Sequence, residues 1–195
     1  MRNIVAYMAE EQRTFAESPF NPVDSLVFST LAYLNYEASP CLPPSPAGRV
    51  LLHDVVMLSD WDALSFGSWM EDAKDTSSFL RALSSSRRMR DVRVAFYANE
   101  VSEAVEVLCG LGIVSGYDGS FAGWKEDFNL CFKKVVPSQR AALAYASGVA
   151  SAVEGALFLG GHSKGGNLAE YAALVVDGGA YARLAGVYNH DGPSF

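Results

Sequence analysis

The sequence predicts an α/β fold, a mostly parallel sheet flanked by helices, and three observations carry that expectation. The first is a strand, helix, strand rhythm in the last third of the chain. Ser138 to about Val153 reads as a helix, Ala156-Leu157-Phe158-Leu159 as a short buried strand, Gly165 to about Val176 as a helix, and Gly186-Val187-Tyr188-Asn189 as the next strand. The second is Gly161-His162-Ser163-Lys164-Gly165, a G-x-S-x-G string placed between a strand and a helix. The third is size and composition: 195 residues, 50% apolar and 12% aromatic, bury roughly 70% of the unfolded surface. One domain over 1–195 is expected, with helical crossovers between strands and ligands at the carboxyl ends of the strands.

Taken in order, the first element is a helix from about Val23 to Glu37. Asn21 caps it, Pro22 suits its first turn, and Leu26, Thr30, Tyr33 and Leu34 form its apolar side. Four prolines in Ser39-Pro40-Cys41-Leu42-Pro43-Pro44-Ser45-Pro46 then impose a surface connection. Residues 50 to 90 alternate apolar runs, Val50 to Leu58 and Phe79 to Leu83, with polar stretches, and Ser84-Ser85-Ser86-Arg87-Arg88 reads as a solvated basic turn. Val92 to Ala98 has the valine and aromatic content of a strand, and Val101 to Leu108 is weakly helical.

Charge and cysteine usage exclude several classes of function. Fifteen basic against 22 acidic residues give a net charge of −7, without the basic field that nucleic acid or anionic lipid requires. No nucleic-acid partner is expected. Cys41, Cys109 and Cys131 form neither an even framework nor a CxxC pair, which fits a reducing, cytoplasmic setting and signals no zinc site. The five-residue apolar run before Glu10 is too short for a signal peptide. The apolar stretch from Ala141 to Gly161 is Ala/Ser/Gly-rich, carries Glu154 and changes from helix to strand near Gly155, so no integral membrane segment is expected.

The chemistry of the G-x-S-x-G string explains its glycines. The serine sits on a strained strand-to-helix turn, where side chains two residues to either side would collide with the neighbouring strand and helix. The turn lifts the Ser163 hydroxyl into a cleft, with the Lys164 N–H as an oxyanion donor at the helix start. A bland reading stands beside it: a tight turn using glycine for packing, or an anion site formed by Lys164, Gly165, Gly166 and Asn167. The string is not a Walker A loop, so neither ATP nor any other cofactor is implied. Three scattered histidines form no metal cluster.

Several blocks resemble a family of bacterial lipase-like α/β-hydrolases of largely unestablished function. They are Asp24-Ser25-Leu26 with Leu34-Asn35-Tyr36-Glu37, Gly123-Trp124-Lys125-Glu126-Asp127-Phe128-Asn129, Val136-Pro137-Ser138-Gln139, Gly160 to Ala169, and Tyr188-Asn189-His190-Asp191-Gly192-Pro193. The resemblance implies an α/β-hydrolase-like sheet, Gly161 to Gly165 as the nucleophile elbow, Ser163 as nucleophile, and the segment before Trp124 as the source of a second oxyanion donor. Two departures stand out. Where the family carries Arg-Gly-Thr-Asp, this chain has Ser115-Gly116-Tyr117-Asp118, so the second donor is the backbone of Tyr117. The family also extends past its Asp-Gly-Pro, which places the expected triad acid and histidine beyond Phe195 and the last strands of the sheet with them.

Within the chain, His190 is the one histidine after Ser163, and Glu170 and Asp177 are the acids between them. Glu170 lies two turns up the elbow helix and Asp177 at its far end, so neither is placed to orient His190. His190 follows the next strand at the correct edge and is the candidate base, which must come within about 3 Å of the Ser163 hydroxyl. His162 is adjacent to the serine and His53 is remote; packing roles are expected for both. The function expected is that of a lipase- or carboxylesterase-type serine hydrolase acting on a small-molecule ester through an acyl-enzyme on Ser163. The alternative is a non-catalytic module that binds an anion at the elbow or a partner chain along an exposed sheet edge, the latter also a route to a homo-oligomer.

Overall fold

The computed structural model describes residues 3–36, 39–41, 49–65, 73–98, 103–108, 130 and 133–194. The chain divides into two compact units, residues 1–95 and 96–195. Among the described residues no helix is long and apolar enough to cross a membrane.

The first unit is mainly helical: α1 Ile4–Glu10, α2 Pro22–Leu31, α3 Leu52–Leu58, α4 Trp61–Ser65 and α5 Ala73–Ser85, with the two-residue strand β1 Val50–Leu51. A capping box starts α2. The Asn21 side chain accepts from the Val23 and Asp24 N–H groups, and Asp24 accepts from the Asn21 N–H at 3.0 Å. The helix ends at Leu31, short of the expected Glu37, because the Tyr36 hydroxyl donates to the Leu31 carbonyl at 2.6 Å and the Asn35 N–H is drawn to the Leu64 carbonyl. Its buried face also differs from the expected stripe: Val27, Phe28 and Leu31 are fully buried, while Leu26 is only half-buried. Helix α5 buries Thr76, Phe79, Leu80 and Leu83, the i, i+3, i+4, i+7 pattern of one helical face.

The basic turn after α5 is solvated only in part. Arg87 is exposed and pairs with Glu17 at 3.1 Å, but Arg88 is buried. Its Nε and Nη2 donate to the two carboxylate oxygens of Asp24, each at 2.7 Å, and both side chains are fully shielded from solvent. Arg88 Nη1 donates to the carbonyls of Arg13, Ser18 and Thr14, Nη2 also to that of Pro19, and the guanidinium lies 4.2 Å from the centre of the Phe15 ring. Tyr7 completes the cluster, donating its hydroxyl to Asp24 and accepting from the Asn21 amide. One side chain thus gathers residues 13–24 onto the end of α5.

Strand β2 Arg93–Ala98 matches expectation, whereas β3 Glu103–Leu108 forms where a weak helix is expected. The β-branched Val105 and Val107 suit a strand, and the neighbouring β2 offers them a ladder. The sheet runs β1-β2-β3, with Val50 opposite Val94 and Leu51 opposite Arg93 in antiparallel pairing.

The second unit holds α6 Pro137–Ala152, β4 Leu157–His162, α7 Lys164–Val175, α8 Gly178–Tyr181 and β5 Leu184–His190. Here the expected rhythm is present: β4 and β5 pair in parallel, from Leu157 opposite Leu184 to His162 opposite His190, with an irregularity after Leu157. Alanines let α6 and α7 approach the sheet closely. Ala146, Ala169, Ala172 and Ala173 pack on Leu159, and Ala150 and Ala180 on Leu157.

The expected mostly parallel, α/β-hydrolase-like sheet is not formed. The described strands make two small sheets, one of three strands containing an antiparallel pair and one of two parallel strands. The reason is chain length between strands. A parallel crossover needs a dozen or more residues, and only four separate β2 from β3; the apolar run from Val50 is spent mainly on α3.

The Arg88 cluster sets a test of the first unit. Arg88→Leu leaves the Asp24 carboxylate buried without its counter-ion, so the stability read from urea unfolding should fall by about 3–5 kcal/mol, against less than about 1 kcal/mol for Arg87→Leu. Equal effects of the two substitutions would contradict the cluster described.

Candidate functional site

The site is the turn from β4 to α7. Strand β4 runs to His162, α7 starts at Lys164, and Ser163 alone makes the turn with φ 53° and ψ −127°. A non-glycine residue in the left-handed region is strained by about 1–3 kcal/mol and persists only where its surroundings impose it. Here they do. A Cβ on Gly161 would collide with the backbone C and O of Gly165 and lie 2.8 Å from the Gly166 nitrogen, so strand and helix meet closer than any side chain allows. The Ser163 N–H donates to the His190 carbonyl at 2.8 Å, and its own carbonyl accepts from the Gly166 N–H at 2.9 Å.

Ser163 is exposed, whereas Lys164 to Ala169 are buried. Serine at a helix N-cap ordinarily turns its hydroxyl onto the second or third N–H of the helix; the Ser163 hydroxyl makes no such bond. The residue therefore presents a hydroxyl at the surface, at the positive end of α7, without using it to hold the helix.

Of the residues singled out in the sequence, Gly161, His162, Ser163, Lys164, Gly165 and His190 lie together at the ends of β4 and β5. Tyr117 lies outside the described residues, as do Trp124 to Asp127, Cys109 and Cys131. His53 is in α3 of the first unit. Asp177 caps α8, accepting from the Gly179 and Ala180 N–H groups, which gives it a structural task. Among the described residues no group of three or more His, Cys, Asp or Glu side chains is placed to hold a metal ion. A small apolar hollow lined by Tyr145, Ala146, Leu157, Val176 and Leu184 sits by the first residue of β4, at the opposite end of the strand from Ser163.

The hydrogen bonds of the amides around the turn are not foreseen by the sequence, which offers Asn167 only as part of an anion site. Gln139 donates to Asn167 at 2.8 Å and Asn167 to the Pro193 carbonyl at 2.9 Å, both side chains being buried. The Asn189 side chain accepts from the Gly192 N–H at 2.7 Å. Asp-Gly-Pro at residues 191–193 is the turn signal that could have found this loop.

His162 and His190 are paired residues on adjacent strands, both half-buried. The His190 ring stacks on Tyr188, 6.3 Å between centres and 3° between planes, and Tyr188 on Phe158. Burial lowers the pKa of both imidazoles below the ordinary 6.5; nearby Asp191 partly offsets this for His162, and His162 adds to it for His190. Both are held neutral in the folded chain, while the unfolded chain takes up their protons as pH falls through 6.5. The stability they contribute is thus present above pH 6.5 and is lost as pH falls through the lowered folded values. Urea midpoints at pH 7 and pH 5 should show a drop for the unaltered chain and a smaller one for His162→Gln with His190→Gln; an equal drop would remove the pair as its cause.

Residues 83–195 match the Mbeg1-like family, a stretch that contains the turn, both of its strands and both histidines. No curated protein and no solved structure matches the chain. The match covers more than half of the 195 residues, and the chain belongs to the Mbeg1-like family.

Proposed function

We propose that Ser163 is the nucleophile of a serine hydrolase of the lipase or carboxylesterase type, acting on a small-molecule ester through an acyl-enzyme. The observation that carries this reading is the state of Ser163: exposed, held in the left-handed region between β4 and α7, and with a hydroxyl not spent on capping. Strain of that kind, kept at an exposed hydroxyl, is what a nucleophile on a strand-to-helix turn requires.

In this reading the Ser163 oxygen attacks the ester carbonyl carbon and its proton passes to a base. The C–O bond to the alcohol then breaks, the base returns the proton to the alcohol, and water releases the acid from the acyl-enzyme by the same steps. The Lys164 N–H, at the start of α7, donates to the oxyanion. His190 is the base of this scheme. Its carbonyl is bound to the Ser163 N–H, and its lowered pKa keeps the imidazole neutral near pH 7, the form that accepts a proton. Tyr117 remains the second oxyanion donor by resemblance alone. The three cysteines, which lack a pairing pattern, favour a cytoplasmic setting. The short β4-β5 sheet favours edge pairing with a second copy.

Treatment with a fluorophosphonate followed by intact mass measurement tests the proposal. One adduct per chain is expected, none on Ser163→Ala, and a labelling rate about a hundredfold lower on His190→Gln. A folded chain that takes no label, or a Ser163→Ala variant that labels equally, rejects the nucleophile and leaves anion binding at the start of α7 to be tested with phosphate.

A further inference from the structure

We propose that Asn189 is a positioning residue for Ser163: its side chain ties the chain leaving β5 across the β4-to-α7 turn and so holds the serine in its left-handed conformation. The inference deepens the reading of Ser163 as a nucleophile and rests on it for one of its two readouts.

Asn189 stands opposite Gly161 in the parallel ladder, beside the glycine whose missing side chain lets strand and helix meet. Its amide lies directly against α7. A Cβ on Gly166 would collide with Asn189 Oδ1 and lie 2.8 Å from Cγ, so the helix is seated on this side chain. The same Oδ1 accepts the Gly192 N–H at 2.7 Å, and Nδ2 donates to the Gly192 carbonyl at 3.3 Å. Asn189 thus holds both backbone groups of the residue three positions on.

The loop so held is bent back over the turn. Asp191, with φ 59°, is with Ser163 a non-glycine residue in the left-handed region, and Gly192 then packs where any side chain would strike the Ser163 carbonyl and lie 3.0 Å from the Asn167 nitrogen. One residue further, the Pro193 carbonyl takes the Asn167 amide, which is itself held by Gln139. The loop is therefore pinned at Gly192 by Asn189 and at Pro193 by Asn167. Between these pins lies the backbone of Ser163, whose φ can relax to an ordinary value only if α7 tilts from β4 or the loop lifts. Asn189 touches both the helix and the loop, so it blocks both movements.

The test compares the full chain with Asn189→Ala, Asn189→Asp and Gly192→Ala, reading the rate of fluorophosphonate labelling and amide hydrogen exchange. In Asn189→Ala labelling should slow about tenfold, and exchange at Ser163, Gly166 and Gly192 should speed up by a similar factor, while the amides of β4 keep their protection. Asn189→Asp retains the acceptor for the Gly192 N–H and should recover most of both. Gly192→Ala, which pushes the loop off the Ser163 carbonyl, should resemble Asn189→Ala. Asn189→Ala with unaltered exchange at the turn overturns the proposal. So does loss of protection throughout β4 and β5, which would make Asn189 a general structural residue. If the unaltered chain takes no label, the nucleophile reading falls alone, and exchange confined to the turn or not decides the role of Asn189.

Discussion

A strand that passes into a helix through a single residue must bring the two backbones closer than side chains permit, and the second unit is arranged around meeting that constraint. Gly161 on β4 and Gly165 and Gly166 on α7 occupy the contact. Their closeness leaves Ser163 no ordinary backbone conformation, and the φ of 53° is the result. The alanine-rich packing of α6 and α7 on Leu157 and Leu159 supplies the burial that offsets the strain. The nucleophile proposed at Ser163 rests on the same geometry. The turn that cannot relax is also the one that exposes a hydroxyl at the positive end of a helix.

The first unit meets a different difficulty. Residues 11–21 contain no helix, and their carbonyls at Arg13, Ser18 and Pro19 need donors. Arg88 provides them all while its charge is balanced by Asp24, itself fixed at the first turn of α2. A buried ion pair of this kind adds little over apolar packing in net energy, but it specifies one arrangement of the segment, since only a planar five-donor group fits those acceptors.

What was legible in the sequence divides along the same line. The helices at Pro22, Pro137 and Lys164, and strands β2, β4 and β5, follow from caps, prolines and apolar periodicity, all of which are local signals. The elbow was legible because its glycines are dictated by a contact only five residues long. The mostly parallel sheet expected from the sequence does not form, because the parallel β4-α7-β5 unit is not repeated where the connection between strands is too short for a crossover. The burial of Arg88 is not legible because its partner is 64 residues away, and the tethering bonds of Asn167 and Asn189 are not legible because an amide that bonds backbone groups leaves no spacing pattern.

A crystal structure of the chain after reaction with a phosphonate tests the state of Ser163 most directly. The phosphorus should be bonded to Ser163 Oγ, with the residue still at positive φ and the phosphonyl oxygen within about 3 Å of the Lys164 N–H. A phosphonyl group on another side chain, or Ser163 in an ordinary extended or helical conformation, would contradict it.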